Sequence, residues 1–408
     1  MRILYLSQLV PYPADAGPKV RIYHVLQYLA AAGHEVTLMA FRREGDTVEA
    51  IDHLRQFCTE VHTVLMSRSR VRDAWELARS IVTGNPFLIG RDGITSMRQM
   101  LQDLMARQRF DAIHADQLWI AQYALLAREA GERNKQPLTV LDQHNAVYLI
   151  PDRLAAGTTN RFKKTFFTRE AHNMARYEVE TCRKFERVVW VTEQDRAAIA
   201  SLANGHGKFL DDPVIPISVD PQATKPVVRD SRARRVTFLG GMHWPPNAEG
   251  ISWFTREVWP LVQQVVPDSV LTAIGKNPPA SLTQANGHLG NVDVPGYVSD
   301  ITPYLSETAA FIVPLHAGGG MRVKILDAWN WGLPVVSTSI GAEGLRYADG
   351  ENLLLADNAE KFARAVISLL REPALSSAVA VAGRKTVEEF YDWRKIYKAW
   401  DKIYGTVQ

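Results

Sequence analysis

The feature that most constrains this chain is an alternation of short apolar runs with helical patterns, which starts in the same way twice. Residues 2–7 and 235–240 share one form, a basic residue, four apolar or β-branched residues and then a small residue. Continuous apolar runs of this length are typical of central parallel strands that are covered on both faces. The alternation therefore predicts the α/β class, with two doubly wound parallel sheets joined by right-handed crossovers.

Further strands and helices follow in turn along each half. The other predicted strands are residues 35–40, 112–114, 139–141, 188–191, 270–274, 309–314 and 334–337. The predicted helices are residues 20–32, 93–107, 194–202, 247–266, 322–331 and 359–370. A chain of 408 residues is too long for one core. Because residues 213–221 and the polar 222–234 are the best linker candidate, we expect one domain over residues 1–220 and a second over 221–389.

Charge and cysteine usage exclude several classes of protein. A net charge of +3 is too near balance for a nucleic-acid coat, and two cysteines cannot make a disulfide framework. No stretch approaches the roughly 18–20 apolar residues of a membrane span, and the first apolar run is too short for a secretory signal. We therefore expect a cytoplasmic protein.

Ligands of open parallel sheets bind beyond the carboxyl ends of the strands. With two such sheets, this rule predicts a site in a cleft between two domains that face each other. The loop within residues 314–334 is the most informative, because a strand there runs into Gly318, Gly319 and Gly320 before a helix opens near Met321. Glycines admit a ligand to the backbone, and a helix N-terminus attracts anions, most naturally phosphate.

Arg322, Lys324 and Asp327 lie in the same predicted helix. Cations in a first turn oppose the helix dipole, so an anionic ligand is the economical explanation, with a glycine turn carrying solvated basic side chains as the alternative. Lys324 and Asp327 share one helix face. They form either a surface ion pair or a site in which Lys324 binds phosphate and Asp327 a sugar hydroxyl.

Loops after other strands supply further candidates. Gly240 and Gly241 permit close backbone approach, and Asn247 is a credible N-cap. In the first half, His144 follows a predicted strand beside Asp142 and Asn145, which places it at a carboxyl end; a structural histidine is the open alternative. The acceptor-side candidates are Asp15, Asp116 and Asn145.

These motifs resemble those of GT-B glycosyltransferases of glycosyltransferase family 4. The family pattern is Glu, seven residues and Glu-Ala, followed by a Gly-x-Pro-Val-Val strand. Asp327-Ala328 and residues 332–336 match its second half, whereas the first Glu falls on Gly319 and the second is Asp327. Residues 33–36, 217–220, 295–300 and 341–344 are also similar to the family.

The resemblance implies a nucleotide-diphosphate sugar as co-substrate and no cofactor. Its diphosphate-binding residues would be Gly17, Gly319, Gly320, Met321, Arg322 and Lys324, with the loop of Gly240 and Gly241 beside them. Lys19 or Arg21, which follow Gly17, could add charge to the phosphate site, or they could form a solvated first helical turn. Asp327 would hold the ribose, Tyr297 and Val298 the base, and His144 the reacting sugar or the acceptor. For Tyr297, a buried structural tyrosine is the open alternative. The catalytic candidates are thus His144, Arg322 and Lys324. The resemblance also implies that a C-terminal helix, about residues 390–408, packs back on the first domain.

Transfer of a hexose from such a donor expels a diphosphate, whose charge must be neutralised by a metal or by protein cations. The sequence has neither an Asp-x-Asp motif nor a His/Cys set with metal spacing, so we expect a metal-independent site, and the resemblance implies retention of configuration. Two alternatives stay open. One is a nucleotide-sugar epimerase of GT-B fold; the other, motivated by Gly319, is a non-catalytic sugar-nucleotide-binding protein.

A basic and aromatic segment bears on the acceptor. Residues 160–169 could rest on anionic lipid while a lipid-linked acceptor is bound, or they could form a solvated helix flank. The expected partners are the nucleotide sugar and a glycan, lipid-linked or small-molecule acceptor, with peripheral contact at the inner face of the cytoplasmic membrane and no nucleic acid. We expect a bacterial enzyme of polysaccharide or glycoconjugate biosynthesis.

Overall fold

The computed structural model describes residues 1–15, 17–131, 136–203, 209–230, 232–285 and 291–405. These residues form two compact units. The first is Met1–Ile217 together with the segment from Arg394 onward, and the second is Ser218–Trp393. The changeover lies three residues before the expected 220/221 boundary because Val219 pairs with the other end of the second unit. Its amide donates to the Tyr391 carbonyl at 2.8 Å, and its own carbonyl accepts from the Trp393 amide at 3.2 Å.

The first unit is built on a six-stranded parallel sheet of order β3-β2-β1-β4-β5-β6. Its strands are β1 (Arg2–Ser7), β2 (Glu35–Arg42), β3 (Glu60–Leu65), β4 (Ala112–Asp116), β5 (Leu138–Gln143) and β6 (Arg187–Trp190). Its helices are α1 (Gly17–Ala31), α2 (Val48–Leu54), α3 (Arg70–Thr83), α4 (Phe87–Arg91), α5 (Thr95–Arg107), α6 (Leu118–Ala130), α7 (Leu149–Gly157), α8 (Arg161–Lys184) and α9 (Glu193–Leu202).

The second unit repeats this plan, with the order β12-β11-β10-β7-β8-β9. Its strands are β7 (Arg235–Leu239), β8 (Val270–Ile274), β9 (Val292–Gly296), β10 (Thr308–Val313), β11 (Val335–Ser337) and β12 (Leu354–Leu355). Its helices are α10 (Pro245–Trp253), α11 (Trp259–Val265), α12 (Ala280–Ala285), α13 (Thr302–Ser306), α14 (Val323–Asn330), α15 (Ala359–Arg371) and α16 (Pro373–Phe390). A π-helical turn, Phe254–Val258, joins α10 to α11 and ends two residues before Pro260, which has no N–H for a regular helical bond.

Both sheets have the Rossmann-like order 3-2-1-4-5-6, in which the chain reverses direction across the sheet between its first and fourth strands. In the first unit this switch point lies between β1 and β4, and in the second between β7 and β10. Ligand loops are expected at the carboxyl ends of these strands. The expected class of fold, two doubly wound Rossmann-like units, is confirmed.

The C-terminal segment returns to the first unit as three short turns rather than one helix. They are α17 (Trp393–Ile396), a 3₁₀ turn (Tyr397–Trp400) and α18 (Asp401–Tyr404). Asp401 accepts a hydrogen bond from the Tyr28 hydroxyl at 2.8 Å, and Trp400 is fully buried. Burial of large aromatic side chains fixes this segment to the unit that the chain left near residue 217.

Helices long and apolar enough to span a bilayer were sought across the described ranges. No single helix meets the criterion there. The pair α15 and α16 does so only when the two are taken together, and they are bent by 103° at their junction.

Candidate functional site

The glycine loop of the second unit follows β10 and is closed by Arg322. Gly318 and Gly320 have φ values of 125° and 71°, which favour glycine. The Arg322 guanidinium donates from Nη1 to the carbonyls of Gly319 and Gly320, the latter at 2.8 Å. It packs so closely that a Cβ on Gly318 would lie 2.7 Å from Nη2. Arg322 therefore holds the shape of the loop, and its role toward a diphosphate stays a prediction.

Lys324 reaches from the first turn of α14 to the loop after β7. Its Nζ donates to Asn247 Oδ1 at 2.8 Å and lies 4.8 Å from the centre of the Phe238 ring. A Cβ on Gly240 would be 2.8 Å from this Nζ. Asn247 in turn donates to the Gly241 carbonyl at 2.9 Å. The structure thus brings Lys324 and the two predicted glycines together at the switch point of the second sheet.

Asn247 has a different role from the predicted one. The residue that precedes α10 is Trp244, and Asn247 lies inside the helix, so the prediction that Asn247 is its N-cap is wrong. Pro245 and Pro246 occupy the first helical positions, where a missing N–H costs least. The helix therefore begins two residues before the predicted start at residue 247. The side-chain oxygen of Asn247 caps no helix and instead accepts the hydrogen bond from Lys324.

Burial opposes the charges of Lys324 and Asp327. Desolvation, with the nearby Arg322 guanidinium, lowers the pKa of Lys324 to about 7. Desolvation raises the pKa of Asp327 to about 7, although the charge of Lys324 acts against it. Both side chains are half-buried by accessible surface, and Lys324 is bonded to Asn247 rather than to Asp327. An anionic ligand beside Lys324 would offset the loss of hydration that depresses its pKa.

An aromatic platform follows β9. Tyr297 is 64% exposed, and the Lys276 ammonium lies 4.5 Å from its ring centre. Val298 beside it is half-buried. The alternative of a buried tyrosine is therefore wrong, whereas the assignment of Tyr297 and Val298 to the base stays a prediction. Lys276, which follows β8, was not among the predicted site residues because it stands alone in its loop without a glycine run or helix start.

In the first unit, the predicted His144 lies in a buried charged cluster at the carboxyl ends of β4 and β5. Its Nε2 is 2.9 Å from Asp116 Oδ1 and 3.8 Å from Asp142 Oδ2. Asp116 and Asp142 are fully buried, and His144 is 8% exposed. The parallel pairing of β4 with β5, which sets Asp116 opposite Asp142, produces this convergence. Asn145, the next residue, is half-buried.

Arg21 of α1 neutralises Asp142. Its Nε and Nη2 donate to the two carboxylate oxygens at 2.8 and 2.6 Å, and Nη1 donates to the Ile215 carbonyl at 2.7 Å. This bidentate pair, together with His114 and His144, holds the pKa of Asp142 well below its ordinary value against the effect of burial. Arg21 is fully buried, so the prediction that it adds charge to a phosphate site is wrong; it positions the strand end that carries His144.

The remaining residues of the first loop lie around the start of α1. Gly17 is the first residue of the helix and is half-buried. Asp15 is exposed and forms an ion pair of 3.0 Å with Lys19, one turn into the helix. This pair is the solvated first turn that was the alternative reading of Lys19. Gly17 keeps its predicted place before free helical N–H groups.

Asp116, Asp142 and His144 each offer one ligand atom, and the three atoms lie within 4.8 Å of one another. Three such groups could hold a metal ion. Asp116 ends a different strand from the one that Asp142 and His144 follow, so no local spacing motif indicated the full set. Because both oxygens of Asp142 already accept from Arg21, the guanidinium supplies positive charge at this place. That the site needs no metal stays a prediction.

Two buried carboxyl groups hold the loop that carries His144. Glu178 of α8 accepts from Gln143 Nε2 at 2.6 Å and from the amides of Val147 and Tyr148 at 2.8 and 3.1 Å. Asp195 accepts from the Ala146 amide at 2.7 Å. Burial, with the nearby Asp195, raises the pKa of Glu178 to about 8. Sequence patterns gave no sign of this support, because α8 follows the loop only after another helix.

Comparison with known proteins places the chain in a family. Residues 16–207 match the family described as "Glycosyl transferase 4-like domain", and residues 233–372 match "Glycosyl transferases group 1". An "Uncharacterized 44.6 kDa protein in cps region" of Klebsiella pneumoniae is 23% identical over 98% of both chains. "Phosphatidyl-myo-inositol mannosyltransferase" of Mycobacterium leprae is 27% identical over 43% of this chain and 47% of that protein.

Among solved structures, Anabaena Alr3699/HepE in complex with UDP superposes with a TM-score of 0.67 at 14% identity, covering 100% of both chains. Two Rossmann-like units with this topology, and matches of both halves, define a glycosyltransferase of GT-B fold. The chain belongs to the group 1, family 4-like glycosyltransferases. The predicted resemblance is therefore confirmed.

Proposed function

We propose that the chain transfers a hexose from a nucleotide-diphosphate sugar, with retention of configuration and without a metal, to a glycan, lipid-linked or small-molecule acceptor. The observation that carries the proposal is the juxtaposition of Lys324 Nζ, the Gly240–Gly241 loop and the start of α14 at the switch point of the second sheet. A cation, exposed backbone and a helix N-terminus are the groups that receive a diphosphate. UDP bound to a protein of the same fold supports a uridine nucleotide as the first donor to test.

The leaving group determines what the site has to do. As the bond to the anomeric carbon breaks, negative charge grows on the diphosphate, and cations fixed before the reaction stabilise it. Lys324 is such a cation, held by Asn247 and by burial. The glycine loop, whose shape Arg322 holds, places residues 319–321 directly before the start of α14. Protein cations in these positions support neutralisation of the leaving group without a metal.

The remaining assignments follow the same chemistry. Tyr297 with Lys276 offers a flat, exposed face on which a base can stack. Asp327 would accept a ribose hydroxyl hydrogen bond, and its half-buried place on α14, one turn from Lys324, supports this. His144, positioned by Asp116, is assigned to the reacting sugar or the acceptor. Gly319 has no carboxylate for the sugar hydroxyls, so other groups must bind them.

A thermal-shift screen of UDP-, GDP-, ADP- and dTDP-sugars tests the donor. A ligand at 100 times its dissociation constant should raise the free energy of unfolding by about 2.7 kcal/mol. Lys324→Ala should abolish the shift, because it removes the cation that faces the diphosphate, whereas Lys361→Ala, an exposed change on α15, should leave it unchanged. An undiminished shift in Lys324→Ala would remove this residue from the site.

The same sample separates the alternatives for the reaction. Release of nucleotide diphosphate only when an acceptor is present indicates a transferase. Epimerised sugar nucleotide formed without any acceptor would indicate the epimerase. Binding of the sugar nucleotide with neither transfer nor epimerisation, across a broad acceptor panel, would indicate a non-catalytic binding protein. Loss of activity of this kind could follow from the absence of a carboxylate at Gly319.

A further inference from the structure

Helix α3 presents its apolar side chains to solvent and its polar side chains to the protein. Its two buried residues are Glu76 and Ser80. Val71, Trp75 and Val82 lie along one stripe at helical spacing and are 81%, 60% and 86% exposed. Ile81 and Leu77, which are 59% and 36% exposed, flank this stripe. This is the reverse of the usual arrangement of a surface helix. An exposed apolar stripe of this kind marks a surface that contacts another protein or a membrane.

The first two turns of α8 are exposed in a similar way. Phe162 and Phe166 are 90% and 41% exposed and stand one helical turn apart. The same turns carry three exposed basic residues and no acidic one; the basic residues are Arg161, Lys163 and Lys164. The exposed phenylalanines contribute little to the hydrophobic core. The basic residues are not stabilised by the helix dipole either, because the N-terminus of a helix disfavours cations.

The two helices are joined at these faces. Arg169 Nη2 donates to the carbonyls of Ser80 and Ile81 at 3.0 and 2.7 Å, and Arg176 Nη2 donates to the Gly84 carbonyl at 2.8 Å. The end of the α3 stripe thus lies beside the third turn of α8, directly after the turns that carry the phenylalanines. We call the exposed residues of α3 and of the first two turns of α8 the α3–α8 face.

Charge on the α3 side has the same sign. Arg70 is exposed, and the half-exposed Arg79 stacks over the Trp75 ring at 5.5 Å from its centre. Of the acidic residues on α3, Asp73 is half-buried, and the buried Glu76 forms an ion pair of 3.7 Å with Arg79, which leaves Arg70 and the basic residues of α8 as the unopposed charges of this surface. The α3–α8 face is therefore apolar with a basic border. Protein interfaces are depleted in lysine, whereas surfaces that lie on membranes combine tryptophan and phenylalanine with lysine and arginine.

We propose that the α3–α8 face docks on an anionic lipid bilayer. Trp75, Val82 and Phe162 enter the boundary between headgroups and acyl chains, while Lys163 and Lys164 bind anionic headgroups. The inference deepens the proposed function and rests on it in one respect, since it selects a lipid-linked acceptor from the three classes named above. The bilayer contact itself depends only on the surface.

Flotation of the full chain with vesicles tests the proposal. The chain should bind vesicles rich in phosphatidylglycerol and not those of phosphatidylcholine alone, and added salt should weaken binding because it screens the charges. Lys163→Glu with Lys164→Glu should lower the partition coefficient by more than about tenfold, since each lysine contributes about fivefold and is reversed in sign. Trp75→Ser with Val82→Ser should lower it by at least a similar factor.

Matched controls come from exposed residues of the second unit. Lys361→Glu with Lys385→Glu changes the same charge, and Val228→Ser with Val381→Ser removes comparable apolar surface; both should bind vesicles as the unchanged chain does. All variants should keep the thermal shift with the sugar nucleotide, so that a failure of donor binding is seen separately from a failure of membrane binding.

Three outcomes would overturn the proposal. The first is absence of binding to phosphatidylglycerol vesicles at low salt. The second is equal loss of binding in the control pairs. The third is a dimer, measured by sedimentation, that Trp75→Ser with Val82→Ser dissociates while vesicles remain unbound. This last result would assign the α3–α8 face to a second copy of the chain.

Discussion

Lys324 is a cation in a place where burial works against its charge. Its pKa of about 7 means that the unliganded protein carries the charge below neutrality and loses it above. A bound diphosphate would raise that pKa, because an opposite charge favours the protonated amine. Affinity for the donor is therefore linked to protonation of this one residue, and the linkage has a definite sign.

Donor affinity should fall as the pH rises from 6 to 9. In this range a sugar diphosphate diester does not titrate, so above about pH 7 each unit costs up to tenfold as binding takes up a proton. Lys324→Arg should flatten this slope, because a guanidinium stays charged throughout. Calorimetry at several pH values measures it.

Two further variants make the assignment specific. Lys276→Arg, a matched change at an exposed cation, should keep the slope of the unchanged chain. Asp327→Asn removes the other group that titrates near pH 7 and should leave the slope due to Lys324 in place. A flat profile in the unchanged chain would contradict the role of Lys324.

At the scale of elements, the loop between β5 and α7 is held by a helix that follows it, α8. From one buried carboxyl, Glu178 accepts from the Gln143 side chain at the end of β5 and from two backbone amides that follow it. Because its pKa in the folded protein is about 8 and its ordinary value about 4.5, the folded state retains a proton that the unfolded chain releases. Stability due to Glu178 is thus complete at low pH and declines as the pH rises toward 8.

Glu178→Gln should remove that decline. The free energy of unfolding of the unchanged chain, relative to Glu178→Gln, should fall between pH 5 and 9 by a few kcal/mol, at about 1.4 kcal/mol for each unit of pKa shift. Urea unfolding at several pH values measures the difference. Glu180→Gln, an exposed change on the same helix, should follow the unchanged chain. Parallel curves for Glu178→Gln and the unchanged chain would show that Glu178 is ionised in the folded state.

The elements that the sequence predicts are those with a strong apolar signal. The central strands of both sheets were found, because they are apolar without interruption. The three strands that were not predicted, β3, β9 and β12, are all at sheet edges. β3 is mostly half-buried with polar alternation, β9 contains Pro295, and β12 has two residues. Edge strands bury one side only, so their sequences carry less of the pattern.

Site residues divide in the same way. Lys324 with its glycine loop was predictable because a strand, glycines and a helix start are consecutive in the chain. Asn247, Lys276 and the pairing of Asp116 with His144 depend on neighbouring strands that bring distant loops together. Arg21 was misassigned for that reason, since nothing local shows that its partner is Asp142.

At the scale of the whole molecule, the two units differ in how the chain forms them. The second is continuous, Ser218–Trp393, and contains every proposed donor residue except Gly17. The first needs the segment from Arg394 onward, whose Tyr404 hydroxyl is 2.6 Å from His114 Nδ1 and whose Trp400 ring lies 5.7 Å from the Arg21 guanidinium. The second unit should therefore fold and bind the donor by itself, whereas the first unit should need the C-terminal segment in order to fold stably.

A fragment of residues 218–393 should fold alone and show a thermal shift with the sugar nucleotide that Lys324→Ala abolishes. A fragment of residues 1–217 should have a melting temperature well below that of the first unit in the full chain. Without Trp400 and Tyr404, the buried His114 loses its hydrogen-bond partner and the buried Arg21 loses the aromatic ring beside it, and a polar group that loses its partner destabilises the fold. Adding the residues from 394 onward through a short linker should restore its melting temperature. Two results would contradict this prediction. A stable 1–217 fragment would show that the first unit folds without the C-terminal segment, and a folded 218–393 fragment with no thermal shift would show that the second unit does not bind the donor by itself.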